Sequence, residues 1–411
     1  MRPMLRWSHL ALLLTACTAR FAAPPPAPKG VVRADLHLHV TMAQAARPLV
    51  HGESGDGLLA TFGGARLLNQ VDDQMLQASG VRLAFAALWP PFEARVGRTA
   101  LDEALEQLDG LKRFTRRRSG YQLALTAAQA RAGLAKGRVV LLPQVEGGEG
   151  IQKVEDVDAL YARGMRCVTL VHFTSNALGG AAKGQLAVGL FGIKLEGLEP
   201  QGLTPLGREV VERLFDLGVV VDLAHASDAL TRDVLALSEA RGVPVIVSHG
   251  GTRAFQPIER NVSDELAARV VKGGGLVGVT VYSGQVAGVP AEVRAAADVP
   301  GSCDDVIAHW SHFAQATGHP ERVMLGSDLN GFVVRAGPGG SCPNGLRHAG
   351  DLSDLYAGLR AHGQGEKALD ASGEVLLSVL DQVEAHASAE ARAHALQAEP
   401  PPSPDLFDVG F

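Results

Sequence analysis

Gly218-Val-Val-Val-Asp-Leu-Ala-His225 and Pro244-Val-Ile-Val-Ser-His249 decide the fold. Each is a short, apolar, β-branched run that stops at a histidine. Working outward, the same arrangement recurs in Asp35-Leu-His-Leu-His39, at Glu146 after Val-Val-Leu-Leu-Pro-Gln-Val, and at Asp328 after Val-Met-Leu-Gly-Ser. Between the runs lie longer amphipathic segments, the pattern of parallel βα units. Eight strands are predicted, at about 31–39, 81–88, 138–145, 165–172, 218–225, 243–249, 275–282 and 322–328. One helix is expected over 203–217, where Leu206, Val210, Val211, Leu214 and Phe215 share a face. Another starts at Ser263, an N-cap with no capping box, because Leu266 stands where Glu would. The expected fold is α/β, a (β/α)8 TIM-like barrel. A doubly wound open sheet is the alternative, and it is disfavoured because ligands fed from strands 1, 3, 5, 6 and 8 need closure to meet. Residues 40–80 and 173–202 are expected as loops on the catalytic face, and 350–385 as helices packed outside.

Side chains at the carboxyl ends of successive barrel strands converge on one point. His37, His39, His225, His249, Glu146 and Asp328 therefore read as a metal site at that end of the barrel. Imidazole nitrogens with a carboxylate suit zinc or a similar divalent ion, and six such groups suit two ions better than one. His37 and His39 alternate along a strand and face the same side, so they can grip one ion. Taken singly, each has a plainer reading: a lone histidine as a structural group, Glu146 beside Gly147 and Gly148 as a turn residue, Asp328 as a helix N-cap. His51, His309, His312, His319, His348 and His362 lack a strand-end setting and read as surface groups or supports behind the site.

A length of 411 residues with 46% hydrophobic content allows one large α/β barrel or two ordinary domains, and a net charge of −6 without a basic patch gives no footprint for nucleic acid. Residues 1–16 read as a signal peptide: Arg2 and Arg6 precede the short apolar Leu10-Ala-Leu-Leu-Leu14. The following Leu-Thr-Ala-Cys17 resembles the bacterial lipoprotein signal. It implies a lipid on Cys17 and a place on the periplasmic side of a bacterial envelope, at the outer membrane. Residues 17–30 carry Pro24-Pro-Pro-Ala-Pro28 and are expected as a stiff tether. The barrel is expected over 31–387, and 388–411, rich in Ala and Pro, as a tail. Cys167 reads as a buried small hydrophobe, while an oxidising compartment would allow Cys303 and Cys342 to pair.

In these residues the chain resembles the membrane (renal-type) dipeptidases, a family of zinc metallopeptidases on an amidohydrolase-like barrel. The resemblance covers about 33–385. It rests on Val145-Glu-Gly-Gly148, Thr169-Leu-Val-His172, Gly202-Leu-Thr-Pro-Leu-Gly-Arg-Glu-Val-Val211, the two runs ending at His225 and His249, Arg260-Asn-Val262 and Leu325-Gly-Ser-Asp328. It implies that Glu146 bridges two zinc ions, that His37 and residue 39 complete one, and that His225 and His249 complete the other. It further implies His172 as a contact to the scissile carbonyl, Arg260 as the clamp on the substrate carboxylate, and Asp328 as the catalytic acid/base. Two positions depart from the family pattern. His39 stands where Asp is usual, which removes a negative charge from the ligand set, and Asn330 stands where Asp is common.

The implied reaction is hydrolysis of a short peptide with a free C-terminal carboxylate, by hydroxide formed where two metals lower the pKa of water to ~7. Other substrate classes remain open: N-acyl amino acids, lactones, or the phosphoesters of the polymerase-and-histidinol-phosphatase barrels, which Asp35-Leu-His-Leu-His also resembles. An inactive, lipid-anchored metal-binding protein is the non-enzyme alternative. The expected partners are a small peptide substrate and a membrane reached through Cys17, with a homodimer among the open options.

Overall fold

The computed structural model describes residues 30–41, 70–90, 99–183, 201–286, 288–290, 293, 303–331, 348–361 and 365–398. Cys17, with the expected signal peptide and all of the tether but Gly30, lies outside them, as do Cys342, His51, His362 and residues 399–411.

Among the described residues there are nine parallel strands: β1 (Arg33–Leu38), β2 (Val81–Leu88), β3 (Tyr121–Leu123), β4 (Val139–Glu146), β5 (Cys167–Thr169), β6 (Val220–Asp222), β7 (Ile246–Gly250), β8 (Leu276–Val279) and β9 (Val323–Leu325). Their order is β2-β1-β9-β8-β7-β6-β5-β4-β3, and a further β2–β4 pairing from Leu83↔Val140 to Leu88↔Val145 closes the sheet. The closed ring therefore holds eight strands, the barrel expected from the sequence. The ninth, β3, was not foreseen. It pairs only with the start of β4 (Tyr121↔Val139 to Leu123↔Leu141), on the edge where β5 joins further along (Gln144↔Cys167 to Glu146↔Thr169).

Strands β4 to β9 are buried throughout, as in a parallel sheet covered on both faces. Strand packing near the site is tight enough that a Cβ on Gly278 or Gly326 would collide with the Ser248 carbonyl. Helices alternate with the strands. Pro205–Leu217 opens on Thr204, whose side chain accepts from the Gly207 amide, and buries Val210, Val211, Leu214 and Phe215, the face read from the sequence. Asp264–Lys272 starts at Ser263, whose hydroxyl accepts from the Leu266 amide, as expected. Helices Leu352–Ala361 and Ser372–Ala385 lie outside the barrel.

The packed body runs past residue 387. Ala389–Leu396, expected as tail, forms a helix against Val154–Ala162 and Pro205–Leu217, with Ala391 and Ala395 buried. Ser388 caps it, and Arg392 donates to the Leu217 carbonyl. Alanine is the strongest helix former, so this composition gains a helix once a neighbour accepts its small face. Cys167 is free and buried, and Cys303 is disulfide-bonded. No helix among the described residues is long and apolar enough to cross a membrane.

Candidate metal centre

Glu146 ends β4 and stands at the middle of the barrel mouth. Its Oε1 lies 3.2 Å from His37 Nε2, 3.4 Å from His172 Nε2, 3.4 Å from His225 Nε2 and 3.7 Å from His249 Nε2, while its Oε2 lies 3.3 Å from His39 Nε2. The imidazoles fall into two pairs. His37 and His39 set their Nε2 atoms 3.2 Å apart, and His225 and His249 set theirs 3.0 Å apart. Two nitrogens bound tetrahedrally at about 2.0–2.1 Å from one ion sit roughly 3.3 Å from each other, so each pair is spaced as a chelate. The trios His37–His39–Glu146 and Glu146–His172–His225 are both compact enough to hold an ion. Asp328 Oδ1 approaches from β9, 3.3 Å from His39 Nε2 and 4.0 Å from His37 Nε2.

The chain turns sharply to aim these groups. His225, Asp328 and Asn330 have φ of 66°, 60° and 65°, the left-handed region that non-glycine residues enter only at a cost. Each bend is tied down. The His225 carbonyl accepts from the Ala182 amide at 2.8 Å, and the Asp328 amide donates to the His37 carbonyl at 2.9 Å. Asn330 carries the most ties: its Oδ1 accepts from the Gln70 amide at 2.8 Å, its amide donates to Gln70 Oε1 at 2.9 Å, and its Nδ2 donates to the His39 carbonyl at 3.2 Å. An Asp here could not make the last of these bonds. Asn330 thus fixes the strand end that carries His39.

Burial and neighbouring charge set the protonation states. Burial opposes a charge on His39, but hydrogen bonds to Asp328 and Glu146 outweigh it and lift the imidazole to about 9. Burial would raise Glu146 too, yet the imidazoles of His37 and His172 hold its carboxyl well below the ordinary range. His225 is pushed well down by burial, then by Arg260 and His172, and His249 by burial, then by His37 and Arg260. A neutral imidazole is the form that binds metal, so His225 and His249 are ready ligands near neutral pH.

Arg260 is buried, with its charge weakened to about 10 by that burial. One nitrogen, Nη1, donates to the His249 carbonyl at 3.1 Å, while Nε and Nη2 have no partner. The acids next to it in sequence are engaged elsewhere: Glu259 accepts from the Lys183 and Asp228 amides, and Asp264 pairs with His312. Its loop is clamped by Arg253, which bonds both oxygens of Asp228 at 2.7 Å and the Asn261 carbonyl at 2.8 Å.

His172 follows β5 and stands against Phe173 (3.9 Å between ring centroids), His225 (4.3 Å) and Trp89 (5.4 Å). The sequence reading missed this aromatic wall, because single aromatics after a strand carry no periodic signal. It also gave no role to Asp222 and Ser248, which lie inside the apolar runs. Among the histidines set aside, His309 is fully buried and accepts from the Thr252 amide at 2.8 Å, three residues past His249, while His319 sits at the surface.

Comparison with known proteins fits this geometry. The sequence model of the membrane dipeptidases (Peptidase family M19) matches residues 48–394. Dipeptidase 3 of Macaca fascicularis is 30% identical over 274 residues, which cover 66% of this chain and 50% of that protein, so the chain spans about half the length of this curated relative. The crystal structure of the dipeptidase AC, a metallopeptidase of family M19, superimposes with a TM-score of 0.64 at 22% identity over 88% of this chain and 99% of its own. A metallopeptidase from Rhodobacter sphaeroides, liganded with a phosphinate mimic of the dipeptide L-Ala-D-Ala, also reaches 0.64 at 22% identity, covering 86% of this chain and 99% of that one. The probable dipeptidase PvdM from Pseudomonas aeruginosa gives 0.64 at 17%, covering 87% and 96%. These likenesses share the barrel, and the match along most of the sequence goes further: the chain belongs to the membrane dipeptidase family, peptidase family M19.

Proposed function

We propose that the chain is a zinc-dependent dipeptidase that hydrolyses short peptides with a free C-terminal carboxylate. The observation that carries this reading is Arg260, a buried guanidinium with two unpartnered nitrogens beside the histidine and carboxylate cluster. A buried cation left partly unsatisfied calls for an anion, and its planar fork matches a carboxylate. Family membership and the dipeptide mimic held by the Rhodobacter sphaeroides relative support the same substrate class.

The five ligands would be His37, His39, Glu146, His225 and His249, with Glu146 between two ions; four imidazoles and a carboxylate suit zinc. Two such ions would lower the pKa of a water to ~7 and polarise the substrate carbonyl. Arg260 holds the substrate carboxylate and so fixes where the peptide bond lies. His172 Nε2 donates to the carbonyl oxygen, an oxyanion contact of the kind worth ~3–4 kcal/mol. Asp328 Oδ1 takes the proton of the attacking water and returns it to the leaving amine. Trp89 and Phe173 shield the histidine side of the cleft from bulk water.

The test compares a dipeptide with its C-terminal amide. A charged hydrogen-bonded pair is worth ~1.5–3 kcal/mol, so wild type should favour the acid by roughly ten- to two-hundred-fold in kcat/KM. Arg260→Ala should lose that preference and keep its metal, and Arg260→Lys should not restore it, because an ammonium lacks the fork. Equal turnover of acid and amide by wild type, or faster cleavage of a phosphomonoester, would sink the dipeptidase reading. Metal without turnover would favour an inactive binding protein.

His39 adds a pH signature. Raised to about 9, it is protonated in the metal-free protein at pH 7.5, whereas His225 and His249 are neutral. Ligation needs neutral imidazole, so loading both ions should release at least one proton, that of His39, beside what the metal-bound water gives up, and affinity at the His37/His39 pair should rise up to about pH 9, by at least roughly tenfold per unit. Calorimetry in buffers of different protonation enthalpy measures this; zero net release would refute it.

We also propose that Cys17 carries a lipid that tethers the enzyme to the periplasmic side of a bacterial envelope. Cys17→Ser should move the protein from the membrane fraction to the soluble one or leave uncleaved precursor, and unchanged fractionation would exclude the anchor.

A further inference from the structure

Behind the two histidine pairs lies a buried polar unit to which the reaction assigns nothing. Asp222, at the end of β6, is fully buried and takes five hydrogen bonds. Its Oδ1 accepts from the amides of Ala224 (3.0 Å) and Ser248 (2.8 Å). Its Oδ2 accepts from Gln144 Nε2 (2.9 Å), Thr169 Oγ1 (2.7 Å) and Ser248 Oγ (2.6 Å). Asp222 therefore acts only as an acceptor, and the single hydroxyl proton of Ser248 is committed to it. The remaining lone pairs of Ser248 Oγ face two ring nitrogens, His249 Nδ1 at 2.8 Å and His37 Nδ1 at 3.4 Å. Only an N–H can complete those contacts. Both rings must then carry a proton on Nδ1, so that in the neutral form the lone pair lies on Nε2, the nitrogen turned toward Glu146.

We propose that Ser248 and Asp222 are positioning residues that fix the Nδ1–H tautomer of one imidazole in each pair, His37 and His249, so that one hydroxyl governs both metal positions. This rests on the two-ion reading of the site. Asp222 also lies within reach of His37 and His249 as a ligand trio of its own. That alternative fails on geometry, since five donors already occupy its oxygens and both Nδ1 atoms have Ser248 Oγ as their partner.

The arrangement makes an unusual prediction for the isosteric change Asp222→Asn. The Oδ1 position faces two backbone amides that cannot turn, so the new side-chain NH2 must occupy the Oδ2 position. There it donates to Ser248 Oγ and reverses the relay: the hydroxyl proton now points at His249 Nδ1, and that ring is forced into the Nε2–H form, which cannot ligate through Nε2.

The experiment uses the full chain with 15N-labelled histidine, reading ring-nitrogen shifts in the metal-free protein and zinc affinity by chelator competition. Outer supports of this kind are worth ~10–100-fold in metal affinity. Ser248→Ala should weaken both ions by that factor, and Ser248→Thr, which keeps the hydroxyl, should retain both. Asp222→Asn should shift the His249 ring signals from Nδ1–H to Nε2–H and weaken the ion at His225/His249 more than the other. Unchanged ring signals in Asp222→Asn, or unchanged affinity for both ions in Ser248→Ala, would overturn the proposal. Zinc loss in Asp222→Asn with none in Ser248→Ala would make Asp222 a ligand instead. Should Ser248→Ala not fold, the ring signals of Asp222→Asn decide alone. They are read without metal, so a wild type that holds fewer than two ions would defeat the two-ion function without deciding the tautomers.

Discussion

Glu146→Gln is expected to strip both ions at once and to lower dipeptide turnover by at least ~10³-fold, a modest share of the 10⁶-fold or more that separates enzymes from the uncatalysed reaction. The reason is central placement. The Glu146 carboxylate lies 3.2–3.4 Å from an imidazole of each pair, and no other acid lies as close to both among the described residues. The amide keeps the shape but loses the charge, and its NH2 must face imidazole nitrogens that are needed as acceptors for metal. His249→Ala should behave differently, losing chiefly the ion it shares with His225, because His37, His39 and Glu146 still form a compact trio. Elemental analysis of the two variants distinguishes the cases. Near-normal metal in Glu146→Gln would remove the bridging role, and loss of both ions from His249→Ala would mean that the positions are not separable.

That contrast depends on residues the sequence displays openly. Histidine and glutamate after β-branched runs are conspicuous because a polar group seldom follows such a run without cause, and the runs fix both the barrel and the end at which the groups meet. The strands proved shorter than expected, β6 ending at Asp222 and β9 at Leu325, because the chain leaves the sheet before bending at His225 and Asp328. Hydrophobic pattern does not encode a left-handed bend in a non-glycine residue; the ties from Ala182 and His37 that hold it come from distant segments. Strand β3 escaped notice for a related reason, since Tyr121-Gln-Leu123 is too short to show alternation. Ser248 and Asp222 were hidden inside the runs that announced the fold. A buried Asp in Val-Val-Val-Asp is a signal in retrospect: an acid in the middle of an apolar strand must find several donors, and it found five.

Asp328→Asn is expected to cut kcat by ~10²–10⁴-fold, the usual range for losing a general acid/base, while metal content stays at the wild-type level. Its Oδ1 sits 3.3 Å from His39 Nε2, at the rim of the cluster, and its side chain keeps 15% of its exposure where the Glu146 side chain keeps 4%. A carboxylate placed beside the histidine cluster yet open to the cleft can exchange protons with substrate, whereas one enclosed between the histidine pairs cannot. The left-handed backbone at φ 60° favours Asn as readily as Asp, so the substitution should leave the bend intact. The split between kcat and metal content is what identifies the role. Loss of the ion at His37/His39 would make Asp328 a ligand rather than a proton carrier, and an unchanged kcat would leave the proton transfer to another group. Because Asp328 also helps to hold His39 protonated in the metal-free site, Asp328→Asn should lower the pH at which that ring gives up its proton. The proton released on metal loading would shrink accordingly, a calorimetric change that a purely steric role for Asp328 would not produce.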